Sequence, residues 1–139
     1  MEHANLCVRD VDAMVRFLQT AFPEFRVRGL GKNKKGEEWM HFGNDETYIA
    51  LSPATTELDR PLRPKAGSPG VSQLAYEVDD VDALHERLTA EGYRESAVSD
   101  GHPQRRRVYF SDPEGNDWEF IQYFSEDPAE RNGCYLPDA

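Results

Sequence analysis

The chain is poor in cysteine: only Cys7 and Cys134 occur, in neither a CxxC pair nor any zinc-type spacing. A disulfide framework is therefore not expected, and both residues read as free thiols. Long apolar runs are missing too. No window approaches the roughly 18 consecutive apolar residues of a membrane span, and the opening Met-Glu-His-Ala-Asn lacks the basic and then apolar run of a secretory signal. The expected address is the cytoplasm, with no membrane partner. Positive charge is also scarce, since 16 Lys and Arg face 26 Asp and Glu for a formal net charge of -10. Nucleic-acid phosphates need a basic patch to neutralise them, and Arg105-Arg106-Arg107 is too short a cluster to supply it, so nucleic acid is excluded as a partner. The acidic surface favours cationic small molecules, and equally serves plain solubility.

What the chain does have is a repeat. Asp-Val-Asp-Ala stands at Asp10 to Ala13 and again at Asp80 to Ala83, an offset of 80 - 10 = 70 in 139 residues. The same offset pairs Val8 with Val78 and Leu18 with Leu88, so a strand end, a helix cap and a helix core recur in register. A chain built from two copies of one unit is expected to carry a site between them. The offset sets His3 against Gln73 there. A length of 139 residues with 38% hydrophobic content suits one domain with a real core.

Each half opens with a short alternating strand, an N-cap aspartate and an amphipathic helix. In the first, His3 to Val8 is the strand, Asp10 the cap, and Val11, Met14, Val15 and Leu18 the helical stripe, ended by Pro23. In the second, Gln73 to Val78 is the strand, Asp80 the cap, Val81, Leu84 and Leu88 the stripe, and Gly92 the stop. Extended segments follow at Phe25 to Leu30, Glu38 to Phe42 and Thr47 to Leu51, then at Arg94 to Ser99, Arg106 to Phe110 and Trp118 to Tyr123. Turns at Gly43 to Glu46 and Asp112 to Gly115 join the last pair of each half. The fold class is α+β, two βαβββ modules forming a curved mixed sheet around a cleft. The domain divides into module 1–52, linker 53–70, module 71–124 and tail 125–139. The Pro- and Gly-rich linker reads as a connection or a lid, and the tail with Tyr135 and Leu136 reads as a segment that docks on a partner subunit or frays.

Strand parity selects candidate site residues. Leu6 and Val8 face the first helix, which turns His3, Asn5 and Cys7 to the concave side. Leu74, Tyr76 and Val78 cover the second helix and leave Gln73, Ala75 and Glu77 concave; Trp118 and Phe120 enter the core and send Glu119, Ile121 and Tyr123 inward. If the halves close around a cleft, His3, Gln73 and Glu119 converge. One imidazole, one amide oxygen and one carboxylate suit Fe, Mn, Ni, Co or Zn, which would polarise a bound oxygen as a Lewis acid. The same three residues also read as ordinary polar strand residues, because no local metal motif is present. Trp39, His41, Tyr48, Arg107 and Tyr109 share the concave side with Asn5. They fit a planar or apolar ligand, with Arg107 able to clamp an anionic group, and equally fit half-buried strand positions. His102 precedes the strand of Arg107 and can serve as a general acid or base, or as a solvated loop residue.

The helix starts "VRDVDAMVRFL" and "VDDVDALHERL", together with "VYFSDPEGNDWEFIQY", resemble the vicinal oxygen chelate superfamily of glyoxalases, bleomycin resistance proteins and extradiol dioxygenases. The resemblance covers Glu2 to Tyr123 and is most specific at the DPxG turn and the strand with an inward glutamate. It implies a metal-centred cleft, often completed by dimerisation. Its metal positions fall on His3, Gln73 and Glu119, where glutamine replaces the commoner histidine. A fourth ligand position falls on Ala50, which cannot bind metal, so the chain is not a typical glyoxalase I. Two functions follow as expectations. One is a divalent-metal-dependent lyase, dioxygenase or transferase acting on a small oxygen-rich substrate, with His102 and Glu119 catalytic. The other is a metal-free protein that sequesters a small molecule, of the bleomycin resistance type.

Overall fold

Two aspartates start the two long helices in the same way. Asp10 accepts the Ala13 N–H at 2.8 Å and Asp80 accepts the Ala83 N–H at 2.9 Å, each relieving one unpaired donor of a first helical turn. The helices are α1, Val11–Ala21, and α2, Val81–Ala90. Helical spacing brings Met14, Phe17 and Leu18 to one side of α1 and Val81, Leu84 and Leu88 to one side of α2, all buried. Helix α2 stops at Gly92, whose φ of 80° lets the N–H groups of Gly92 and Tyr93 reach the Thr89 and Leu88 carbonyls. At the end of α1 the Phe22 N–H reaches Leu18, and Pro23 follows with no donor to offer.

The computed structural model describes residues 1–55, 69–97, 101–131 and 133. Most of the expected linker, residues Val98 and Ser99 of an expected strand, Cys134, and the end of the tail with Tyr135 and Leu136 lie outside the described residues. Strands β1 (His3–Val8), β2 (Arg26–Lys32), β3 (Glu38–Gly43) and β4 (Tyr48–Pro53) surround α1 in sequence. Strands β5 (Gln73–Glu77), β6 (Arg94–Ala97), β7 (Arg105–Ser111) and β8 (Asp117–Tyr123) do the same for α2, followed by a short α3, Pro128–Arg131. Both halves are βαβββ, as the repeat implied, and each forms its own four-stranded mixed sheet, β1-β4-β3-β2 and β5-β8-β7-β6. In each, the first and last strands of the module pair in parallel and the others antiparallel. The chain divides into two compact units, 1–69 with 112–116 and 70–111 with 117–139.

The registers make the repeat exact to the residue. Asn5 lies beside Ala50 and His41 beside Ala50 in the first sheet, while Ala75 and Tyr109 flank Glu119 in the second. Ala50 therefore matches Glu119, His41 matches Tyr109, and two residues along, Trp39 matches Arg107. Even an irregularity repeats: β2 shifts register between Val27 and Gly29, and β6 shifts between Glu95 and Ala97.

Alternation gives each sheet one face for its helix. Val8, Phe42, Ile49 and Leu51 are buried with the apolar stripe of α1, and Val108, Phe110, Trp118 and Phe120 with that of α2. Each such side chain contributes about 1.5–3 kcal/mol by leaving water. The opposite face of each sheet is left for other purposes.

The turns carry their own hydrogen bonds. Asn44 accepts the Glu46 and Thr47 N–H groups, and buried Asp112 accepts those of Glu114 and Asn116 and the Asn116 amide. Glu114, carried on that second turn, accepts the Arg9 and Asp10 N–H groups at 2.7 and 3.1 Å, just ahead of α1. This explains why residues 112–116 group with the first unit although they lie inside the second module in sequence.

Candidate functional site

Glu119 is the buried carboxylate of the second unit, only 6% exposed. It stands between Trp118 and Phe120, both fully buried, so pleating turns it to the face away from α2. Three side chains meet it there. The Gln73 amide donates to Oε2, the Tyr109 hydroxyl donates to Oε1 at 3.2 Å, and Arg107 Nη1 lies 3.6 Å from Oε1. Strand order brings them together, because β8 runs between β5 and β7. Burial, and next the negative charge of Glu119, push the Tyr109 phenol above the ordinary tyrosine pKa, while Arg107 pulls it down. Tyr109 is thus held as a proton donor.

The first unit builds something different on the matching face. Trp39 and His41 rings are 4.9 Å apart and tilted, His41 stacks on Tyr48 at 4.7 Å, and Tyr48 stacks on His3 at 4.6 Å. Arg28 lies over the Tyr48 ring at 4.6 Å. Gly31 underlies this row: a Cβ there would come within 2.6 Å of the Trp39 ring, so only glycine lets the indole lie against β2. Asn5 sits beside the row, its amide oxygen accepting the Ser52 hydroxyl at 3.1 Å, and Ala50 is buried.

The expected site residues therefore fall into two groups. The second unit joins Gln73, Arg107, Tyr109 and Glu119; the first joins His3, Trp39, His41 and Tyr48, with Asn5 alongside. His102 uses its ring on backbone groups, Nδ1 accepting the Gln104 N–H at 3.2 Å and Nε2 facing the Gly133 carbonyl at 2.9 Å. That pairing fixes Nε2 as the protonated nitrogen. It fastens the segment around α3, which Arg131 also holds by pairing with Glu77 at 2.7 Å and lying over the Tyr123 ring at 4.1 Å. Arg28, Gly31 and Arg131 escaped the sequence reading. The pair of glycines in Gly29-Leu30-Gly31, inside a strand, was the one available sign of a ring pressed on the backbone.

A family model described as the Glyoxalase/Bleomycin resistance protein/Dioxygenase superfamily matches residues 1–120. The chain belongs to that superfamily. Its fold is shared with TnmS3, an antibiotic binding protein from Streptomyces sp. CB03234, at 24% identity over 88% of this chain and 94% of that one, with a TM-score of 0.63. It is shared with the fosfomycin resistance protein FosX from Listeria monocytogenes, in complex with Mn(II) and sulfate, at 20% identity over 95% and 96%, TM-score 0.66. A glyoxalase family protein from Bacillus cereus is 16% identical over 90% and 94%, TM-score 0.74. Likeness at these identities establishes the superfamily's fold. No curated protein matches the chain significantly. Among the described residues no helix is long and apolar enough to cross a membrane.

The superfamily's divalent ion does not fit the donors as this chain arranges them. Neither unit, among its described residues, gathers three His, Cys, Asp or Glu side chains. The Glu119 oxygens already serve an amide, a phenol and a guanidinium. A divalent ion on Glu119 would have to share the carboxylate with the Arg107 guanidinium, whose like charge would repel it at short range. The position that matches Glu119 by register in the first sheet is Ala50, whose methyl group offers no donor.

Proposed function

We propose that this superfamily member is a metal-independent binding protein for a small planar molecule, which lies on the face of the first sheet turned away from α1. The observation that carries this reading is the row of rings from Trp39 through His41 and Tyr48 to His3. His3, Tyr48 and His41 stack on one another, so a planar ligand meets the row at its ends and ring edges, where an aromatic contact is worth about 0.5–1.5 kcal/mol per pair beyond area burial. The formal charge of -10 favours neutral or cationic ligands over anions. TnmS3, which shares the fold, is itself an antibiotic binding protein.

Trp39 is the natural reporter, because the other tryptophan, Trp118, is fully buried on the opposite side of the second sheet. Titration with a panel of planar polyaromatic compounds is expected to quench Trp39 emission equally with and without a chelator. The Trp39→Phe variant retains Trp118 emission and loses the response. Quenching abolished by the chelator, or unchanged in Trp39→Phe, refutes the reading. The protein is further taken as a cytoplasmic homodimer, which sedimentation equilibrium tests for the dimer.

A second reading keeps the chain as a divalent-metal-dependent enzyme, a lyase, dioxygenase or transferase for an oxygen-rich substrate. Its support is that the resemblance assigns His3 and Glu119 to the superfamily's ligand positions and that FosX was solved with Mn(II). It requires His3, Gln73 and Glu119 to take up Fe, Mn, Ni, Co or Zn, and Glu119 to give up its present partners. Stoichiometric uptake on anaerobic loading would decide in its favour.

A further inference from the structure

Three consecutive arginines lead β7, and the fold sends each to a different task. Arg106 pairs with Asp82 of α2 at 2.6 Å, and Arg105 donates to the Arg131 carbonyl at 3.2 Å. Arg107 goes to Glu119, where the two side chains keep 20% and 8% of their exposure. A carboxylate so far out of water needs a compensating positive charge, and elsewhere such a charge is commonly a metal ion. The register places Tyr109 beside Glu119 and Arg107 beside Ile121, one pleat further along the same face. The guanidinium therefore reaches Glu119 diagonally while Tyr109 and Gln73 occupy its flanks.

We infer that Arg107 has taken the electrostatic place of a metal ion at Glu119, and that this one guanidinium decides whether the chain accepts a divalent cation. The inference deepens the metal-independent reading and rests on it. The guanidinium is a covalent part of the chain and cannot be displaced as a bound ion can. A cation approaching Glu119 meets a like charge in a site with little water to screen it. With a neutral side chain at 107 the repulsion is gone, while the Glu119 carboxylate and, once its amide is turned over, the Gln73 amide oxygen remain as donors within the second unit. The first sheet offers no comparable choice, since Trp39 and Ala50 stand at the matching positions.

The test uses the full-length protein and Mn(II) alone, following free Mn(II) by electron paramagnetic resonance. Parent and Arg107→Lys are expected to leave the Mn(II) signal unchanged at concentrations where Arg107→Gln binds it at least about tenfold more tightly. Adding Glu119→Gln to Arg107→Gln should abolish the gain. Arg107→Met serves as a second neutral variant, and a cooperative melt establishes that each protein is folded. Stoichiometric Mn(II) on the parent overturns both this inference and the metal-independent reading. A gain absent from both folded neutral variants, or equal in Arg107→Lys, overturns the inference alone. Failure of planar compounds to bind, with the Mn(II) pattern as expected, removes only the proposed ligand.

Discussion

Trp39, His41 and Ala50 of the first sheet occupy the register positions that Arg107, Tyr109 and Glu119 occupy in the second. Helix caps, strand order and the apolar face under each helix are the same, yet one outer face is a row of stacked rings and the other a buried carboxylate with its partners. The difference teaches where this architecture is constrained. The helix-side face must exclude water in both halves, whereas the outer face only has to satisfy whatever polar groups it buries. Rings satisfy that condition by having few polar atoms, and the second sheet satisfies it by pairing them.

The comparison breaks most visibly in the cores, if they are not equivalent. Phe17→Ala and Phe110→Ala are each expected to cost about 3–5 kcal/mol in urea unfolding, because both rings are fully buried; a much smaller loss in one would show that its half contributes less to the cooperative unit. Next, Glu119→Ala should cost about 3 kcal/mol by stranding Arg107, and Glu119→Gln clearly less, since an amide retains much of the hydrogen bonding. Gly31→Ala is expected to cost about 1–2 kcal/mol and to shift Trp39 emission as the indole is lifted, without touching the second sheet. Asp10→Ala and Asp80→Ala should each cost about 1 kcal/mol, matched to within a few tenths, because the caps have the same geometry. The smallest effect is in pH. The raised Tyr109 pKa means that folding holds this proton more tightly than the unfolded chain does. Its contribution is intact below about pH 10 and lost as pH rises through the folded value. Tyrosinate absorbance should show one fewer late-ionising phenol in Tyr109→Phe.

Much of this was legible in the sequence because it rests on short-range rules. Period and capping gave α1 and α2, and parity alone turned His3, Glu119, Trp39, His41, Arg107 and Tyr109 to the faces they occupy. The matching of Ala50 with Glu119 was legible from a separate alignment of the closing strands, because the offset of 70 would have set Ala50 against Phe120. What was not legible is which polar groups satisfy one another. Gln73, Arg107, Tyr109 and Glu119 come from three strands, and parity, which sets both Arg105 and Arg107 on the face of Glu119, does not say which of the two reaches the carboxylate. Likewise, Arg131 docks through a ring, a carboxylate and its own carbonyl, contacts that depend on side-chain reach.

The register shift in β2 between Val27 and Gly29 has its counterpart in β6 between Glu95 and Ala97. Few side chains are common to the two segments, so sequence similarity cannot account for the shared kink. A feature present in both copies, where the residues around it have diverged, is most simply older than the divergence. The two copies thus share the irregularity of an edge strand while the chemistry laid upon their sheets differs.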